Sequence, residues 1–143
     1  MTQEDRAFLH RCRQAMDEKL AEEAETPGKA ARDMDIAREW KPGTYQLNDV
    51  RSRAGNLYRC VQAHDSTENA GWTPEAAPSL WAACHATDAA YALPYVQPQG
   101  AHDAYQSGEF IVWEGAVHEC VMDNCVYSPA EYASAWQEVA VNG

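Results

Sequence analysis

One pattern of residues occurs twice in this chain. Tyr45, Asp49, Val50, Gly55 and Cys60 recur sixty residues later as Tyr105, Glu109, Phe110, Gly115 and Cys120, with every internal spacing kept. A shared ending follows: Trp72, Pro74 and Trp81 recur as Tyr127, Pro129 and Trp136, now offset by fifty-five, so the first copy carries five extra residues between its cysteine and its Trp-Thr-Pro. An internal repeat redefines the folding unit. Here the unit is about 40 residues long and occurs twice. Within each copy, Ala54-Gly55 and Glu114-Gly115 sit between β-rich arms, which predicts a hairpin turn. A unit this small buries little apolar surface, so the two must pack together or use oligomer contacts.

Ahead of the repeats, residues 1 to about 25 read as a helix, with Thr2 as N-cap, Asp5 near the third position and an apolar stripe of Phe8, Leu9, Cys12, Met16 and Leu20. An isolated helix of this length is marginal in water. The stripe therefore either packs on the repeats or self-associates, for which a homo-oligomer, a trimeric bundle through residues 3–24, is the natural form. Pro27-Gly28 ends the helix, and a polar segment from Lys29 to Glu39 leads to Trp40. The expected layout is an N-terminal helix in 1–27, a first module in 38–84, a linker in 85–95 and a second, degenerate module in 96–141. The fold class is mainly β: an N-terminal α-helix followed by two small antiparallel β-hairpin modules.

Charge narrows the partners. With 22 acidic and 11 basic residues and no basic run, the chain lacks the electrostatic footprint of a nucleic-acid binder or of a protein that docks on anionic lipid. No apolar run approaches the ~20 residues of a membrane span, and no signal-peptide core follows the polar start. Five Trp and seven Tyr against two Phe give aromatic surface with polar handles, suited to wet, shallow binding faces. The five cysteines form no regular framework; Cys60 and Cys120 read as buried small hydrophobes, while short loops closed by Cys60 with Cys84 or by Cys120 with Cys125 stay open.

No catalytic constellation emerges. Asp33 and Asp35 are close in sequence but lie in a polar connector rather than across a cleft, as glycoside hydrolysis requires. A D-x-x-D-x-D-x-E run, a phosphate loop and a G-x-S-x-G elbow are all missing from the sequence. His118 and Cys120 share one face of a strand, with Cys125 nearby and His64 four residues after Cys60, yet a closed zinc site needs four ligands. Neither a cofactor nor a metal is expected.

The run E-W-K-P-G-T-Y-Q-L-N-D-V-R-S-R-A-G-N-L-Y-R-C-V-Q-A-H-D-S, followed by G-W-T-P-E-A-A-P-S-L-W, resembles the carbohydrate-binding modules of families 5 and 12 that accompany bacterial chitinases. The second copy, with Q-P-Q-G-A-H-D-A-Y-Q-S-G-E-F, G-A-V-H-E-C and Y-S-P-A-E-Y-A-S-A-W, looks like the degenerate repeat that follows such a module in tail proteins of phages and prophages. The resemblance implies a compact β fold that binds chitin, another N-acetylated glycan or a cell-wall polysaccharide without catalysis. It further implies a protein made in the bacterial cytoplasm, assembled into a virion tail or baseplate with other tail proteins and used in host recognition. A rival expectation is a purely structural virion protein that binds no sugar.

A sugar ring can stack its apolar face on an indole or phenol. Trp72, on a proline-stiffened loop where the family's W-x-P tryptophan falls, is the first candidate platform. Tyr127 is its counterpart in the second copy, and Trp113 stands where the first copy has Arg53. Trp40 and Trp81 complete the candidate set, although Trp40 also reads as a hairpin cap and Trp81, like Trp136, as a core plug. Tyr45, Tyr58 and Tyr105 read as packing residues. In the second copy His118 replaces Tyr58 and the H-D-S segment is replaced by Asp123-Asn124-Cys125, which puts its sugar binding in question.

Overall fold

Helix α1 spans Gln3–Glu23 in the computed structural model, which describes residues 2–140. Thr2 caps it through a reciprocal box: the Asp5 amide donates to the Thr2 hydroxyl at 3.0 Å, and the Thr2 amide donates to the Asp5 carboxylate at 3.2 Å. Only the C-terminal end of its apolar stripe reaches the core. Leu20 is fully buried, Cys12 and Met16 are half-buried, and Phe8 and Leu9 face solvent. Burial of Leu20 contributes about 1.5–3 kcal/mol. Among the described residues no helix is long and apolar enough to cross a membrane.

The segment after Pro27 is not simply a polar connector. It forms a short helix α2, Lys29–Arg32, whose Ala30 and Ala31 pack on the Leu20 cluster, and then a 3-10 turn, Met34–Ile36. Polar contacts hold it along α1: Arg13 donates to the Ile36 carbonyl at 2.7 Å, Arg38 to Asp17 at 2.7 Å and Lys19 to Asp33 at 2.8 Å. Asp33 is therefore part of a helix contact, and the Lys19 ammonium holds its carboxyl below the ordinary range.

Nine short strands follow among the described residues. These are β1 Thr44–Tyr45, β2 Val50–Arg53, β3 Asn56–Cys60, β4 His64–Asp65, β5 Trp81–Ala83, β6 Leu93–Pro94, β7 Phe110–Trp113, β8 Ala116–Cys120 and β9 Trp136–Val139. They form three sheets, β1-β4, β2-β3-β5 and β6-β7-β8-β9, in which every pair is antiparallel except β6 with β7. Both predicted hairpins are present. Their turns carry positive φ at both central residues, 52° and 81° at Ala54-Gly55 and 51° and 80° at Glu114-Gly115, the geometry that matches the twist of the strands.

The duplication extends to individual hydrogen bonds. The Cys60 amide donates to the Asp49 carbonyl at 2.8 Å and the Cys120 amide to the Glu109 carbonyl at 2.7 Å, while each thiol donates 3.1 Å to a carbonyl two residues on, Gln62 or Met122. Pairing also extends the repeat upstream. The Trp40 amide donates to the Ser52 carbonyl at 2.8 Å just as the Tyr95 amide donates to the Val112 carbonyl at 3.2 Å, which makes Tyr95 the counterpart of Trp40.

The architecture joins the expected N-terminal helix to several small, mostly antiparallel sheets and is roughly mixed α and β: α1 and α2 build a wall of the core, and each hairpin gains further strands, β5 in one sheet and β6 and β9 in the other. The segment 85–95 joins the two units and packs with them. Ala86 and Leu93 are buried with Leu20, Val50, Leu57 and Cys84, and Leu93–Pro94 supplies the parallel edge of the second sheet. Asn56 donates from Nδ2 to the Pro94 carbonyl at 2.9 Å, and His85 stacks on Tyr105 at 3.9 Å with Nδ1 2.9 Å from the Glu109 carboxylate, so the two units are tied directly.

Gly28 fixes where the helices meet this junction. Its φ is 80°, and a Cβ placed there would lie 2.0 Å from the Thr87 hydroxyl oxygen. Gly28→Ala is therefore expected to lower unfolding free energy by about 1–3 kcal/mol, the cost of overpacking. Gly71→Ala, with no atom within 4 Å of the added methyl and no positive φ, stays within about 0.5 kcal/mol of wild type. Urea titration of both variants checks this; equal stability of the two would refute the close approach.

Candidate functional site

Three rings of the repeats stand out on the surface: Trp72 is 42% exposed, Tyr127 44% and Tyr132 48%. Trp72 sits between two turns, its amide donating to the Asn69 carbonyl at 3.0 Å while the Thr73 carbonyl accepts from Ala76 and Ala77 at 3.0 and 2.9 Å. The loop is anchored at its root. Ser66 is fully buried and its hydroxyl donates to the Gly43 carbonyl at 3.1 Å, and the Asp65 carboxylate accepts from the Thr67 hydroxyl at 2.5 Å and amide at 2.9 Å. Those two donors hold the Asp65 carboxyl below its ordinary range.

In the second unit, Ser128 and Glu131 bond reciprocally, with the Ser128 amide donating to Glu131 at 3.0 Å and the Glu131 amide to the Ser128 hydroxyl at 3.2 Å. This tight turn brings the rings of Tyr127 and Tyr132 to 6.1 Å and 26° from parallel. Tyr132 is absent from the candidate set drawn from sequence. Its signal was the Ser128-x-x-Glu131 box, a local turn that returns the chain beside Tyr127.

Trp40 and Trp81 are not surface platforms. Both are buried with Tyr45, Tyr58 and Cys60, because Tyr45 spans from one to the other: its hydroxyl donates to the Lys41 carbonyl at 2.5 Å and its ring meets Trp81 edge-on at 4.9 Å. Tyr105 repeats this, accepting from the Val96 amide at 3.0 Å and meeting Trp136 edge-on at 5.3 Å. The copies differ at the plug. The Trp136 indole N–H donates to the Tyr127 carbonyl at 2.9 Å, whereas that of Trp81 is buried without a partner among the described residues.

Trp113 is half-buried, with its ring edge-on to Tyr95 at 5.5 Å. It does not join Tyr127 in one platform; it lines a separate cleft on the sheet face with His118, Pro129 and Trp136. In the first unit the matching position is Arg53, whose guanidinium lies 5.7 Å over the Trp40 ring and 3.0 Å from the Glu75 carboxylate.

All five cysteines are free, and four are buried. Burial pushes the Cys84 thiol up to about 12 and that of Cys120 up to about 11, so neither is a ready nucleophile. Among the described residues no three His, Cys, Asp or Glu side chains converge as metal ligands; the Cys60 thiol and His64 are 3.7 Å apart, within the aromatic cluster.

With an anchored loop presenting a solvent-facing indole, the geometry fits a stacking surface. Residues 39–82 match carbohydrate-binding module family 5/12. This segment runs from just before Trp40 through β5 and contains the Trp72 loop. The family consists of non-catalytic binding modules. The match ends before the second unit, whose likeness to the first rests on the shared hydrogen bonds and aromatic contacts described above. No curated protein matches the sequence.

Partial burial pushes the Glu75 carboxyl up, but hydrogen bonds from Arg53, Thr73 and the backbone more than offset this and its pKa is lowered. The resulting stabilisation is present above the unfolded carboxylate value and is lost as pH falls through the lowered folded value. Because the pair is well exposed, Glu75→Gln should cost at most about 1 kcal/mol at pH 7. Urea unfolding at pH 7 and pH 3 checks it: the gap between variant and wild type should narrow at pH 3, and a constant gap would count against the pairing.

Proposed function

We propose that this chain is a non-catalytic glycan-binding protein of a phage or prophage tail, with chitin, another N-acetylated glycan or a host cell-wall polysaccharide as its ligand. The observation that carries this is the exposed indole of Trp72, held on an anchored loop within the segment that matches the carbohydrate-binding family. An acetylated sugar is neutral, and its pyranose ring offers an apolar face to the indole while its hydroxyls stay hydrated. Tyr127 and Tyr132 supply a second pair of near-parallel rings on the other unit. Two weak sites on one body raise overall affinity without new contacts.

Assembly with other tail proteins falls to α1 in this reading. Its first half carries Phe8 and Leu9 on the solvent side, apolar groups that a helical partner, including two further copies of this chain, would cover. The same observation favours the second reading, a structural virion component in which the helix is the working surface and the modules are scaffold. Synthesis in the bacterial cytoplasm followed by incorporation into the virion fits both.

Sedimentation of wild type and Trp72→Ala with insoluble chitin and with peptidoglycan separates the readings, with circular dichroism of both proteins as the check on folding. Glycan binding by Trp72 requires the variant to lose about tenfold in affinity, ~1.4 kcal/mol. If folded wild type sediments with neither polymer, the scaffold reading stands.

A further inference from the structure

The sheet face that carries Trp113 differs from its counterpart in charge as well as shape. In the first unit this face is closed by the chain itself: Arg53 lies on Trp40 and grips Glu75 through both Nε, at 3.1 Å, and Nη2, at 3.0 Å. In the second unit each member of that plug is replaced. Trp113 stands for Arg53, Ala130 for Glu75, His118 for Tyr58, Glu138 for Ala83 and Glu114 for Ala54. The face is left open as a cleft of about 390 Å³, within the ~300–1,000 Å³ range of small-molecule sites.

Its lining combines aromatic and acidic side chains. Trp113 and Trp136 border it with Pro129, and Glu114 and Glu138 both contribute to its wall. Register explains the grouping. His118 pairs directly with Glu138 across β8 and β9, and Trp113 with Ala116 across β7 and β8, so these side chains share one face of the sheet. Among the described residues neither Glu114 nor Glu138 lies in an ion pair, whereas the acid of the first unit's face is matched by Arg53. Two unmatched carboxylates beside an indole form a site for a compact cation with an apolar face.

We propose that this cleft binds an amino sugar with a free amine, a glucosamine unit of a partly de-N-acetylated polysaccharide. The ring lies on Trp113 and the ammonium faces Glu114 and Glu138. The choice of a sugar rests on the glycan-binding reading above and on the architecture shared with the matched segment; the choice of a cationic one rests on the two carboxylates. In the first unit Arg53, lying on Trp40 and paired with Glu75, covers the same face. The two units therefore divide acetylated from de-acetylated sugar between them.

The full chain is titrated with the glucosamine tetramer and, separately, the N-acetylglucosamine tetramer, following indole N–H resonances. The double variant Glu114→Gln/Glu138→Gln should weaken the glucosamine tetramer at least tenfold and leave the acetylated tetramer within twofold. Trp72→Ala should do the reverse. A charge-matched control, Glu18→Gln/Glu22→Gln on the exposed side of α1, should change neither. Raised salt weakens only the glucosamine arm. The proposal is overturned if the glucosamine tetramer does not bind, if the helix control weakens it as much as the cleft variant, or if Trp72→Ala abolishes it. Should the acetylated tetramer fail to bind while the glucosamine tetramer binds and depends on Glu114 and Glu138, the cleft stands and the acetylated ligand of the first unit falls.

Discussion

Each module is organised around one tyrosine ring. Tyr45 and Tyr105 join the stretch before the hairpin, through a hydroxyl bonded to backbone, to the last strand of the unit, through an edge-on contact with Trp81 or Trp136. These units are short in aliphatic residues, so the aromatic contact does the work that a layer of Leu and Ile would do elsewhere. A tyrosine serves better than a phenylalanine because its hydroxyl satisfies a backbone group that burial would leave unpaired. The hairpin, the final strand and the loop between them are all positioned relative to that ring.

Hairpins, turns and cap were legible from the sequence because each is a local matter. Ala54-Gly55 and Glu114-Gly115 need positive φ, and Thr2 with Asp5 needs only neighbouring amides. The roles of the tryptophans were partly legible. Spacing after a proline marked Trp81 and Trp136 as plugs, and Trp40 reads locally as a hairpin cap, but how far Trp40 and Trp72 are buried depends on contacts far along the chain. The packing of segment 85–95 is hidden in the sequence for a similar reason. Its small residues Ala86 and Ala90 resemble a connector until Leu20 and Val50 are placed against Ala86 and Leu93.

The repeat itself concealed a compensation. Counting from Tyr45 and Tyr105 gives an offset of sixty, while the last strands are offset by fifty-five, which looks like a loss from the second copy. Backbone pairing of Trp40 and Tyr95 shows that the upstream offset is also fifty-five, so the second copy carries an insertion before Tyr105 that balances its deletion after Cys120. The two copies therefore keep one scaffold and move their variable loop from one end of it to the other. Pairwise divergence then falls on surface positions, Arg53 against Trp113 and Glu75 against Ala130, where a change alters what can be bound without disturbing the ring at the centre.

The junction between the modules has a mechanical meaning. Asn56 bonded to the Pro94 carbonyl, His85 stacked on Tyr105 and Leu93 sunk among Leu20, Val50 and Leu57 leave no slack segment between them. Domains joined by a flexible tether search for two footholds independently. Domains fused in this way act as a ruler: the distance between their faces is fixed, and under the proposed function a polymer would be held at both points only when its own repeat length fits the graduation.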